Sequence, residues 1–321
     1  MSWVFILVSV LAWGVAEIFY KKGNIEKEKY SHLKTTVLVG FFMGIYALVI
    51  LFTQGIDLKL FPKNFLIYLP VALCYIVSMI CSYFGVRYIE ESLSDPIENS
   101  SCALVAILCA IFLHETYEVP AIVAICIIVV GLVCISLFDK KGKDERTRKL
   151  GKRLSIFAIA MPFCYMILDA AGTFLDIFYT EDVATTLLVG VTDYTIEHTA
   201  NCAYELTFFL VAIVVLIFLK VKKVKFFDFA ENSQEKRGFF TKILNQKWKI
   251  LAALFETIGQ ATYLFALSDG GAIAAVLLGA GTVITSLILS RVFLKEKLTW
   301  LQYCFVGLIM TGIILGAIFG L

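Results

Sequence analysis

Charge is scarce in this 321-residue chain. Only 17% of its residues are Asp, Glu, Lys or Arg, while 60% are hydrophobic. A soluble domain of this size cannot bury so much apolar surface, so the composition excludes that class and points to a polytopic membrane protein. The three histidines, His32, His114 and His198, fall at the ends of apolar runs. That leaves no clustered set for a metal or haem. The nine cysteines sit in apolar runs and none forms a Cys-x-x-Cys pair, so neither a disulfide framework nor a zinc site is expected. No Gly-rich phosphate loop and no nucleophile motif occurs. The sequence therefore predicts no cofactor, no metal and no enzyme. Lys and Arg are missing from the depths of every apolar run, Arg87 and Arg291 standing only at boundaries. Nucleotide sugars, sugar phosphates and other polyanions need buried Arg or Lys and are disfavoured as ligands.

What is present is a series of apolar runs. A spanning helix needs roughly 20 largely apolar residues. Ten runs qualify: 3–20, 34–53, 65–87, 93–114, 119–138, 154–179, 198–219, 249–268, 271–293 and 299–320. The first has no basic segment before it and no obvious cleavage site, so it reads as a membrane helix and not a signal peptide. The basic stretch 139–153 reads as a linker between two five-helix units, 1–138 and 154–321. A shift of 181 residues relates the units without a gap. It places Phe112-Leu113-His114-Glu115 on Phe293-Leu294-Lys295-Glu296, Phe84 on Phe265, Ile107-Leu108 on Ile288-Leu289, Ile128 on Ile309 and Gly131 on Gly312. An odd number of helices per unit makes the repeat an inverted one, with a binding cavity at its interface near mid-membrane. The predicted fold is thus an all-α membrane protein, with ten transmembrane helices in two inverted repeats around a central cavity.

Of the 28 Lys and Arg residues, all but Lys59 and Lys63 fall in or beside the loops after the odd-numbered helices. The positive-inside rule puts those loops in the cytoplasm of a cell membrane and both termini outside. Topology explains these basic loops, so no nucleic-acid partner is expected. The expected partners are the lipid bilayer and a small-molecule substrate; the sequence leaves the oligomeric state open.

Ionisable groups inside membrane helices cost a few kcal/mol each and mark function by default. The embedded acids are Glu17, Glu98, Asp169, Glu205 and Glu256. The fourth run carries a polar stripe of Ser94, Asp95, Glu98, Asn99 and Ser101, where the shifted positions of Glu98 and Asn99 are Gly279 and Ala280. The fold does not need those polar groups, so a substrate or a proton is expected to. Trp13, one turn from Glu17, and Tyr83 and Tyr165 are candidate wall residues, because aromatic faces beside carboxylates suit ammonium groups. Plain packing competes for each aromatic, and interhelical hydrogen bonding competes for Glu205 and Glu256.

The chain resembles the drug/metabolite transporter superfamily of EamA type. The resemblance rests on the ten-helix count, the five-plus-five duplication and Trp13-Gly14 in a short first helix. Leu113-His114-Glu115 and Leu294-Lys295-Glu296 end one helix per half, and the last helices carry Gly131, Gly307 and Gly312. It covers nearly the whole chain. It implies a solute carrier whose cavity is lined by Leu93–His114 and Gly271–Phe293. The chain departs from the pattern at Cys102, where many members have proline, and in the termini, which many members hold in the cytoplasm.

The function expected is secondary transport of a small amine-bearing or cationic metabolite by alternating access, a reading that extends to proton coupling. A carboxyl kept from water can hold a proton until a cation replaces it. Glu98 is the first candidate for that role and Asp169 the second. The alternatives are export or facilitated passage of a neutral or zwitterionic metabolite such as an amino acid, and a membrane scaffold or receptor that transports nothing.

Overall fold

The computed structural model describes residues 2–137, 152–180, 183–226, 243–295 and 300–319. Most of the predicted linker, at 138–151, and 227–242 of the second basic loop lie outside them. The described chain is helical, with no strand. In a bilayer core every peptide group must be satisfied within the chain, which a helix does locally. The helices are α1 Ser2–Gly23, α2 Ser31–Thr53, α3 Phe61–Gly85, α4 Glu91–Glu98, α5 Ser101–Leu108, α6 Val119–Leu137, α7 Lys152–Thr180, α8 Ile196–Val221, α9 Lys247–Leu289 and α10 Trp300–Phe319. Eight segments among the described residues are long and apolar enough to cross a membrane. Val119–Cys134 and Tyr303–Leu315 are shorter apolar stretches.

The predicted 93–114 run is one of the eight spans, as Ser94–Leu113, but its helix is interrupted at Asn99 and Ser100. Pro96 has no N–H to give, so the ladder is already short by one bond there. Asn99 Nδ2 and Ser100 Oγ then donate to carbonyls four residues back, Asp95 O at 3.0 Å and Pro96 O at 2.7 Å. Such back-bonding bends helices. The amides of Ser100, Cys102 and Ala103 bond three residues back instead of four, and α4 stops where α5 begins. The predicted runs 249–268 and 271–293 are two spans, Lys247–Leu267 and Gly271–Leu294, which meet at a kink where Gly271 is non-helical, at φ 51° and ψ −135°; the two limbs share the label α9.

Two π-helical turns, Cys109–Leu113 and Ser290–Leu294, end in the left-handed residues His114 (φ 56°) and Lys295 (φ 58°). They are 181 positions apart, as are their caps. α6 and α10 pack through a reciprocal contact at the same offset. A Cβ on Gly131 would lie 2.5 Å from Ile309 Cγ1, and one on Gly312 would lie 2.6 Å from Ile128 Cγ1. Small residues here let two helices approach closely, as is common in membranes. Gly131→Leu is expected to lower the thermal unfolding temperature through an overpacking cost of about 1–3 kcal/mol. Thermal unfolding in detergent checks this; an unchanged midpoint refutes it. The outward-facing Gly307, with nothing within 4 Å of its Cβ position, is the control.

The remaining pairs are α1 with α9, α2 with α8 and α3 with α7. One end of the molecule gathers the 24–30 and 86–90 loops and the start of α9, where Lys21 Nζ donates to Val86 O at 2.8 Å. At the other end Asn64 bonds Val189 through both its side-chain groups, at 2.8 and 3.0 Å.

Candidate functional site

A central cavity of about 770 Å3, its opening included, lies between the α4–α5 break and the second limb of α9. Eight of the ten residues singled out in the sequence line it: Trp13, Glu17, Glu98, Asn99, Ser101, Tyr165, Asp169 and Glu256. The other two do not. Tyr83 is buried one step behind the wall; its hydroxyl donates to Tyr20 OH at 2.9 Å, and Tyr20 donates to Glu256 Oε2 at 2.9 Å. Glu205 is buried on the face of α8 that packs on α2. It sits between Cys202, whose Sγ donates to Ala47 O at 3.4 Å, and Phe209, which Gly44 abuts.

The break in α4–α5 decides which way its polar groups point. Ser94 Oγ donates to Glu98 Oε1 at 2.7 Å, while Ser101 Oγ, beyond the break, donates to Asp169 Oδ2 at 2.7 Å on α7. Asn99 Nδ2 donates to Asp95 Oδ1 at 2.6 Å, and Ser286 on α9 donates to Asp95 Oδ2. Asp95 is therefore a brace between α4 and α9, with donors on both oxygens, whereas Glu98 faces the cavity. Glu17 does not reach out beside Lys21, whose ammonium is held by the Val86 and Ile89 carbonyls.

Of the two small residues opposite the polar stripe, Gly279 lines the same cavity and Ala280 is buried in the core beside it. Gly279 sits so close to Asn99 that a Cβ there would lie 3.3 Å from Asn99 Oδ1. Thr282, at the shifted position of Ser101, is also on the wall. Its hydroxyl and Glu17 Oε2 are buried without a hydrogen-bond partner among the described residues. Buried polar groups are nearly all partnered in folded proteins, and exceptions on a cavity wall are places for a ligand or water.

At one end of the cavity Tyr75 donates to Thr173 Oγ1 at 3.0 Å, and its hydroxyl is 2.8 Å from that of Tyr263. Tyr204 packs edge-on against Tyr75, their centroids 5.7 Å apart. Thr173 and Gln260 are wall residues that the sequence reading did not select. Thr173 stands four residues past Asp169, and a helical spacing rule would have found it; Gln260, one turn past Glu256, was visible as that acid's neighbour but weighed as interhelical hydrogen bonding. Trp13 stacks at a tilt on Tyr263, 4.9 Å between centroids. Among the described residues the wall thus holds four carboxylic side chains and five large aromatics, and no Lys, Arg or His.

No curated protein matches the chain significantly. One similar solved structure, described only as "Crystal structure of protein", superposes with a TM-score of 0.64 over 99% of this chain and 96% of its own. At 10% identity it shows a shared fold alone. The family model of the EamA-like transporter family matches residues 1–137 and 197–317, on either side of the basic linker and α7. With an all-helical fold of apolar segments and a polar cavity at its centre, the chain belongs to the EamA-like transporter family.

Proposed function

We propose that the protein carries a small amine-bearing or cationic metabolite by alternating access, coupled to proton movement. The observation that carries this reading is the cavity wall. Glu17, Glu98, Asp169 and Glu256 share it with Trp13, Tyr75, Tyr165, Tyr204 and Tyr263, and no cationic side chain among the described residues opposes them. An ammonium group gains from carboxylates and from aromatic faces together, the latter by about 0.5–2 kcal/mol per contact. A phosphate there would meet four acids and, among the described residues, no cation to balance it.

Two inverted five-helix units crossing the membrane ten times, joined at 139–153, complete the proposal. The matched π-turns and the reciprocal glycine contact of α6 and α10, all at the 181-residue offset, support it. In this reading the end bearing the 24–30 and 86–90 loops faces the cytoplasm and both termini lie outside.

A thermal-shift panel on purified protein tests the substrate class. A ligand at a hundredfold its Kd stabilises by about 2.7 kcal/mol. Amines and quaternary ammonium compounds are expected to raise the unfolding temperature by several degrees, and sugar phosphates and nucleotide sugars to leave it unchanged. Stabilisation by the phosphates without any by amines refutes the assignment.

A further inference from the structure

The cavity is closed toward one end by two successive layers, and the outer layer is ionic. Nearest the cavity, Glu256, Tyr20 and Tyr83 are linked by their hydroxyls, the two tyrosines fully buried. One turn further along α1, Gly23 lies against Lys249 of α9, so closely that a Cβ would come 2.9 Å from Lys249 Cγ. Beyond that contact Glu28, from the α1–α2 loop, reaches between two helices. Its Oε1 accepts from Lys34 Nζ on α2 at 2.7 Å and its Oε2 from Lys249 Nζ on α9 at 2.5 Å. Gln246 joins through Nε2 to Glu28 Oε1 at 3.3 Å and accepts from Lys249 at 2.7 Å. The three charged side chains are only 1–2% exposed. Arg87, from the α3–α4 loop, fastens the same loop by donating to the carbonyls of Glu26 and Glu28 at 3.2 and 3.1 Å.

We infer that the Glu28–Lys34–Lys249 cluster is the latch that holds this end of the carrier shut. The inference deepens the alternating-access reading and rests on it. Buried ions lose their hydration, so a buried pair stabilises little compared with the same ions in water, yet removing one partner leaves the others uncompensated. That asymmetry suits a latch. When α1 and α9 part at Gly23 and Lys249, water reaches all three charges and replaces what they lose. When the end closes, each charge must find its partner again, so a partly closed end with one buried unpaired charge is disfavoured. The cluster ties the α1–α2 loop, α2 and α9 to one another, so one rupture frees the end as a unit.

Cys102 lines the cavity and reports on access to it. With the other eight cysteines replaced by alanine, its labelling by a membrane-impermeant methanethiosulfonate is followed in vesicles of both orientations. Glu28→Gln, and separately Lys249→Met, which keeps the stem against Gly23, should speed labelling from the latch end about tenfold or more and slow it from the opposite end. That is the signature of a population moved between two states. Unchanged rates from both ends in the two variants overturn the latch. Equal acceleration from both ends also overturns it, because a merely structural brace would loosen the cavity without preference. The readout needs no substrate. If the amine assignment fails the panel, the latch is still tested, and if the latch fails, the cavity assignment stands.

Discussion

Glu98→Gln is expected to abolish amine flux driven by a pH step in proteoliposomes and to weaken amine binding about tenfold to a hundredfold. The range follows from the roughly 1.5–3 kcal/mol of a hydrogen bond to a charged group. The substitution keeps the shape and an oxygen that accepts from Ser94 Oγ, now 2.7 Å from Glu98 Oε1. The local structure should therefore survive while the charge and its exchangeable proton are lost. Asp169→Asn is the companion variant, since Ser101 would keep a partner there. If Glu98→Gln loses the response to pH while Asp169→Asn keeps it but binds the amine less tightly, Glu98 carries the proton and Asp169 serves the substrate. Unchanged pH-driven flux in Glu98→Gln removes Glu98 from the mechanism.

Gly271→Ala is expected to lower the unfolding temperature substantially with the cavity residues untouched. At φ 51° and ψ −135° the backbone occupies a region that side chains exclude, and holding alanine there costs about 1–3 kcal/mol. Space is not the obstacle, because the nearest atom to a Cβ is Glu115 Oε1 at 3.4 Å, an ordinary contact. Thermal unfolding with and without a cavity ligand separates the two effects. The apo midpoint should fall, and the ligand-induced increment should persist. An unaltered apo midpoint would mean that the corner relaxes at no cost.

Most of the helices were legible because hydropathy alone writes them, and the apolar runs that became α1, α2, α3 and α8 need no tertiary information. The α4–α5 break was less so. Its causes, Pro96, Asn99 and Ser100, are visible in the sequence, but whether side chains bond back to the helix or across to a neighbour is decided by packing. Glu98 and Asp95 are three residues apart in one polar stripe, and it is the position of Ser286 on α9 that makes Asp95 a brace while Glu98 is on the cavity wall. Glu205 shows the converse. Its embedding in an apolar run was a sound signal of cost, yet which face of α8 meets α2 is not written in its own neighbourhood. The Glu28 cluster was hidden for a different reason. Lys34 and Lys249 looked like topology charges at helix ends, and nothing local tells a lysine facing water from one folded under a loop.

The reciprocal contact between α6 and α10 has a consequence for how such a chain could arise. Each helix offers an isoleucine and, three residues later, a glycine, and each glycine receives the other's isoleucine. A surface built this way is its own complement. A single half ending near residue 137 would leave that surface bare, and a second copy of the same half could cover it. Under the two-unit organisation proposed above, the contact between α6 and α10 is one that two separate, identical subunits could have made before one chain joined them.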